Sequence, residues 1–503
     1  MSNQTVMLRE RVKLPPSAAM IDSYYRPNVT RSTQILFELE LWIHVAHARM
    51  LERQGIVAGA DVGRILEALL ELRAAGPEAL AVDYTQEDLY SYTERFVIGR
   101  LGPEVGGRMH TGRSRNDLHT TSWRMALRQS LLEVADGLLA LRRTALDLAE
   151  RHADTVMPGY THTQHAQPIS LGYYMLSLAD LLGRDFERLC HALDHVDRCP
   201  LGSGALTTTA FPIDRAFTAE ALGFGGLVEV AYDGVSCRDD AHEAAAALAL
   251  LMTNLSRLAT DLQSWSTAEY RFIELGDQHS AVSSIMPQKK NPAALEHTKA
   301  AAGMVTGALV AALSCTKNTS LSDVNDGVSA INEPVLDAAL RTRRILVLIA
   351  EVLGAVTVFP EVMRRSAEVG FGTATELADV IVRETGLSFR MAHNIVAMAV
   401  RQTIEAGGTA LDISAQDLRR IGESLFGNPI DLDERVVREA LDPAHNIRIR
   451  TIVGGPAPDN VRAMVARRRQ RLDADAAAVG GIVERIEGAR ERTFAAARAA
   501  LAA

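Results

Sequence analysis

Residues 127–148, Leu-Arg-Gln-Ser-Leu-Leu-Glu-Val-Ala-Asp-Gly-Leu-Leu-Ala-Leu-Arg-Arg-Thr-Ala-Leu-Asp-Leu, decide the fold. Leu127, Leu131, Val134, Leu138, Leu141, Ala145 and Leu148 alternate spacings of four and three, the apolar seam of a long bundle helix. Leu248, Leu251, Leu255, Leu258 and Leu262 repeat the pattern. A third stretch, 296–315, is rich in Ala and Gly, whose small side chains let helices approach closely. Alternation of the strand type, bounded by hairpin turns, is scarce. The pattern predicts an all-α, three-domain subunit. Its parts are an N-terminal helical domain at 1–116, a central long-helix bundle at 117–365 and a C-terminal helical domain at 366–503. The flanks are set apart by turn signals such as Arg26-Pro27-Asn28, Gly106-Gly107, Gly407-Gly408 and Gly454-Gly455-Pro456.

Composition agrees. The 503 residues are 47% hydrophobic, 23% charged and only 5% aromatic, a globular chain leaning towards helix. A net charge of −9 argues against a nucleic-acid partner. The segment 1–20 has no apolar core before its prolines, so no secretory signal is expected. No run of about 18 residues is free of polar groups, so no membrane span is expected either. Cys190, Cys199, Cys237 and Cys315 are scattered, with no CxxC pair, which excludes a disulfide framework and a structural zinc site. A cytoplasmic protein without metal or cofactor is the expectation.

Three polar patches interrupt the helical pattern. The first, His110-Thr-Gly-Arg-Ser-Arg-Asn-Asp117, gathers guanidinium forks, a hydroxyl and an amide that suit a carboxylate. It reads equally as a surface turn that caps the next helix through Asn116 or Asp117. The second, Gly159-Tyr-Thr-His-Thr-Gln-His-Ala-Gln-Pro168, offers His162 beside Thr161 as an acid–base group. His162 and His165 have the spacing of a metal pair on a helix but no companion ligand, and His165 reads as structural. The third, Ala281-Val-Ser-Ser-Ile-Met-Pro-Gln-Lys-Lys-Asn-Pro292, is a loop able to close over an anionic small molecule. A basic interhelix loop is its plainer reading. Without a P-loop or a GxSxG elbow, a serine here serves as a base as readily as a nucleophile.

Together the patches resemble the aspartase/fumarase superfamily, and within it the argininosuccinate lyase branch. Ser283–Pro292 looks like the superfamily's signature loop, and His110–Asp117 and Gly159–Pro168 look like its other two active-site regions. Similarity continues through Pro200–Ala205, Phe211–Arg215, Ala374–Asp379 and Phe389–His393. The resemblance implies an all-α homotetramer whose active sites each combine three subunits. It implies β-elimination of an N-substituted aspartate through an aci-carboxylate to fumarate and an amine. By this likeness Ser283 is the general base, with Ser284 the second candidate and otherwise a substrate-binding residue. Lys289 and Asn291 steady the dianion, His162 serves proton transfer to the leaving nitrogen, and Ser114, Arg115, Asn116 and Thr161 grip the fumarate-forming half.

Departures from the branch cluster on the amine half. Val282 stands where Gly usually precedes the serines, and Ala293 where Asp usually follows Asn291-Pro292. Ser322–Ser329 lacks the usual tyrosine, and its cation and glutamine are missing or displaced. His44 replaces a serine in Glu40–His47, and Tyr90 a histidine in Glu87–Tyr90. A site that loses its polar partners loses affinity, so the chain is expected to accept either argininosuccinate or a different N-substituted aspartate. Ethylenediamine-disuccinate lyase is a relative of the second kind. A non-catalytic scaffold is the remaining reading, against which Ser283, Lys289, Asn291 and His162 are all present. Arg113, Arg115, Lys289 and Lys290 are expected to make the site locally positive.

Overall fold

The computed structural model describes residues 14–427 and 429–502, so most of the segment 1–20 read for a signal lies outside the described residues. The seam leucines of 127–148 sit in one 37-residue helix, and Leu131, Val134, Leu138 and Leu141 are fully buried. Full burial of such a side chain is worth about 1.5–3 kcal/mol.

Helices of ten or more residues are α1 (Arg26–Arg53), α2 (Gly59–Ala75), α3 (Leu89–Leu101), α4 (Arg115–Arg151), α5 (Leu171–Val196), α6 (Asp239–Trp265) and α7 (Ala293–Thr316). They continue with α8 (Asn332–Ala355), α9 (Pro360–Val369), α10 (Ala374–Thr385), α11 (Phe389–Glu405), α12 (Ala415–Phe426) and α13 (Pro458–Ala502). The helices α4 to α8 run alternately up and down. Arg124 near the start of α4 donates to the His195 carbonyl at the end of α5 and lies 3.4 Å from Asp240 at the start of α6. At the far end, Tyr174 of α5 meets Trp265 of α6 with ring centroids 4.7 Å apart. Thr316 closes α7 against His242, 3.1 Å away, back at the near end.

Small residues set the spacing. A Cβ on Gly172 would lie 2.3 Å from the Ala149 carbonyl oxygen, so only glycine lets the start of α5 touch the end of α4. Four two-stranded sheets decorate the helices. The largest is a hairpin of β1 (Val156–Thr161) and β2 (Gln164–Ser170), which joins α4 to α5. The second patch is therefore strand, where the His162–His165 spacing invited a helix.

Three main apolar clusters organise the chain: the bundle, the α1–α3 unit with the start of α4, and a compact unit spanning Leu377 to Leu441. The last helix of the expected 366–503 segment packs elsewhere. Val461, Val465 and Leu472 of α13 join the bundle, while Ala489, Phe494 and Ala497 join the α1–α3 cluster. A helix of 45 residues spans about 68 Å, enough to strap both. α7 is long and apolar enough to cross a membrane by length and composition, although the sequence had suggested that no segment was. It lies in the bundle beside α6 and α8, with Met304 and Val310 each 58% exposed on its outer side.

One buried ionic knot ties these layers. Arg128 of α4, 2% exposed, donates to Asp197 at 2.8 Å, to the Gly223 carbonyl at 2.9 Å and to the Leu222 carbonyl at 3.1 Å. Asp197 also accepts from Arg485 of α13. Removing one partner of a buried pair strands the other charge. Asp197→Ala is expected to cost about 3–5 kcal/mol in chemical unfolding. Asp459→Ala, at a fully exposed position, is expected to change stability by less than about 0.5 kcal/mol.

Candidate active site

The first patch is held from below. Ser114 is the N-cap of α4 and Asp117 closes a capping box with it, so the cap is Ser114 and not Asn116 or Asp117. Asp117 is fully buried and also accepts from the Gly202 and Gly204 amides at 2.9 and 3.0 Å. Burial pushes its carboxyl up to about 6. Behind the loop, Arg113 donates to His44 Nδ1 at 2.9 Å, and His47 Nε2 lies 2.9 Å from the Thr111 carbonyl oxygen. Burial, with Arg113 adjacent, holds both histidines well below their usual range. His44 is therefore a buried prop for the loop.

In front of the loop lies a cavity of about 210 Å³, lined among others by Glu40, Glu87, Asp88, Arg115, Asn116 and Asp323. Arg115 Nη1 donates to Glu87 and, at 2.9 Å, to Asp88. Its Nη2 and Nε make no hydrogen bond among the described residues and remain for a ligand. Glu40 is 4% exposed, and its Oε2 has no hydrogen-bond partner among the described residues. Burial, with Asp88 nearby, pushes Glu40 up to about 8. Asp323 is raised by burial against the opposing pull of Arg238, and burial holds His119 down to about 4. Sequence reading did not single out Glu40. A charge spaced three and four residues from Phe37 and Leu36, on the buried face of α1, was the available signal.

The second patch is the tip of the β1–β2 hairpin. Thr161 pairs with Gln164, so His162 and Thr163 form a two-residue turn, with φ of 52° and 59°. Both residues positive is the hairpin turn that suits twisted strands. It is costly for a β-branched threonine, and such strain gathers at functional positions. The tip exposes Thr161 and His162. His165, also exposed, packs one side on Tyr160, ring centroids 5.2 Å apart, beside Gly370, where a Cβ would lie 2.3 Å from its Nδ1.

The third patch is a hairpin between β3 (Ala281–Val282) and β4 (Lys290–Asn291). Its loop stands clear of the subunit, with Val282 90% and Ile285 83% exposed. Ser283 Oγ accepts from the Met286 amide at 3.0 Å and the Ile285 amide at 3.4 Å. Among the described residues the Ser284 side chain makes no hydrogen bond and Lys289 no ion pair. Lys290 is bound to Glu274 at 2.9 Å and Asp277 at 2.7 Å. Lys290 is exposed but paired and Arg113 is buried behind the loop; Lys289 has no ion pair among the described residues, and Arg115 commits Nη1 alone.

Patch one does not meet the other two within one subunit. Patch one begins α4 and patch two follows its end, so about 55 Å of helix separates them. A six-residue strand can return at most about 20 Å of that. Tyr160 and Tyr270, ring centroids 6.1 Å apart, set the chain after α6 beside patch two. Patch three begins α7, about 36 Å from the helix end at Thr316.

A lyase family model matches residues 23–307, and an argininosuccinate lyase C-terminal model matches 371–448. Argininosuccinate lyase 1 of Shouchella clausii is 39% identical over 479 residues, 95% of this chain and 96% of the relative. Argininosuccinate lyase of Methanosarcina mazei is 40% identical over 457 residues, 91% of each. Among solved structures, EDDS lyase in complex with formate superposes with a TM-score of 0.86 at 32% identity, covering 93% of this chain and 92% of that one. A class II fumarase from Schistosoma mansoni, at 15% identity and a TM-score of 0.68 over 85% of this chain and 94% of that one, shares the fold. With both family models and relatives of nearly full length in agreement, the chain belongs to the argininosuccinate lyase branch of the aspartase/fumarase superfamily and is a carbon–nitrogen lyase that releases fumarate.

Proposed function

We propose that the substrate is an N-substituted aspartate and that Ser283 is the base that opens it. Ser283 Oγ takes the proton from the carbon next to a carboxylate, and the carboxylate becomes a dianionic aci form. Lys289 and Asn291 steady that charge, which is where a pre-placed cation lowers the barrier most. The C–N bond then breaks, the double bond of fumarate forms, and the nitrogen leaves with a proton delivered through His162. Ser114, Arg115, Asn116, Thr161 and Ser284 hold the fumarate-forming half.

The observation that carries this reading is the pair of backbone amides donating to Ser283 Oγ. Donors aimed at an oxygen favour its anion, and they single out Ser283 over Ser284. Ser283→Ala is expected to lower fumarate release about 10²–10⁴-fold. Ser284→Ala is expected to cost less than about tenfold. Absorbance of fumarate at steady state separates the two, and the reverse order moves the base to Ser284.

The complete site is assembled from copies of the chain in a cytoplasmic homotetramer, with no membrane or nucleic-acid partner. The opposite placement of the patches and the exposed apolar side of α7 support this. Ser283→Ala and Arg115→Ala subunits are each expected to be nearly inactive. Co-expressed in equal amounts, they are expected to recover about a quarter of wild-type activity, since a site drawing the two positions from different copies is intact in that fraction. A mixture as inactive as its parents shows that both positions serve the site from one copy.

A further inference from the structure

The amine half of the substrate is chosen by the cavity in front of Arg115. Four of its lining side chains are carboxylic acids, Glu40, Glu87, Asp88 and Asp323. Arg115 is the single Lys or Arg among the described lining residues, and its Nη1 is already shared by Glu87 and Asp88. His119 also lines the cavity but burial keeps it neutral near pH 7. Arg113 and Arg238, which pull on Glu40 and Asp323 from behind, do not line it. Arg238 is spent on the Val328 carbonyl, Asn332 and Asp240.

Such an acidic wall needs an independent sign that a ligand belongs there. Glu40 supplies it: a residue only 4% exposed, lining the cavity, with Oε2 unpartnered among the described residues. A buried unsatisfied carboxyl oxygen is costly unless something donates to it. Tyr24 and Tyr90 add aromatic surface to the same wall, which favours a cation at close range. Within one subunit a carboxylate placed here would meet like charge from Asp323 and find no spare cation among the described residues beyond the fumarate-facing side of Arg115.

We propose that this cavity is the leaving-amine subsite and that it selects an amine carrying a second cationic group and no carboxylate, a diamine or guanidino-alkylamine. The inference rests on the fumarate-releasing reaction proposed above, and the atoms balance as in that reaction. One C–N bond breaks, one carbon-bound proton is transferred to nitrogen, and fumarate and a polycationic amine leave. Glu40 and Asp323 are the specificity-determining residues. Asp323 meets the distal cation from the Ser322–Ser329 loop, and Glu40, pushed up by burial to about 8, offers an unpartnered acceptor rather than a full charge.

The test compares two substrates that differ by one group: argininosuccinate and its decarboxylated counterpart, succinate joined to the guanidine of agmatine. The wild-type enzyme is expected to release fumarate from the decarboxylated compound with kcat/KM about tenfold or more higher. Asp323→Asn is expected to erase most of that preference by slowing the decarboxylated compound. Glu40→Gln serves as a second variant of the same wall. Equal or better turnover of argininosuccinate, or a preference unchanged in both variants, overturns the inference. Calorimetric titration of the wild type with agmatine and with arginine, each with fumarate present, reads the subsite without turnover. Agmatine binding about tenfold tighter or more supports the assignment even where neither substrate releases fumarate, an outcome that would instead defeat the catalytic reading. Arginine binding as tightly as agmatine overturns it.

Discussion

α4 holds its two polar ends about 55 Å apart because a backbone hydrogen-bonded at every turn has a fixed rise. The seam leucines bury one face of that rod, so it can neither bend sharply nor fold back without exposing its core. The other long helices of the bundle pack beside it, alternately up and down. The donor-rich loop at its start and the strained hairpin after its end are therefore distant by construction. Chemistry that needs both must recruit a second copy, and the same rigidity gives that copy a fixed place to dock.

Charge is arranged more sparingly than a count of basic residues suggests. Lys290 is spent on Glu274 and Asp277, and Arg113 on His44 behind the loop. What remains is one guanidinium edge on Arg115 and one ammonium on Lys289, at opposite ends of the subunit. In the assembly proposed above they would flank a dicarboxylate from two sides. Glu87 and Asp88 orient Arg115 by holding one nitrogen and leaving the others. They also add two carboxylates to the adjoining cavity.

Much of this was legible in the residues. Spacings of four and three marked α4 and α6, and the three patches stood out because their polar residues broke that spacing. The hairpin at 156–170 was hidden, since Pro158, Gly159 and Pro168 erase the alternation by which strands are read. The strap formed by α13 was hidden for a different reason: its apolar positions serve two cores in succession, so no single stripe runs its length. Glu40 looked like any acidic helix residue. Only the fold showed that its neighbours on the helix are buried, and that it is too.

The apolar outer side of α7 carries the argument one step further. Its Ala- and Gly-rich sequence suits close helix approach, yet in a lone subunit Met304 and Val310 face outward. α7 begins directly after the Ser283 hairpin, so any copy that covers this face is held in register with that hairpin. Burial of α7 and completion of the active site are then one event driven by the same apolar area. A substitution on α7 far from any reacting atom would act on catalysis through the position of Ser283, whereas one on α10–α12, which pack as a separate cluster, would not.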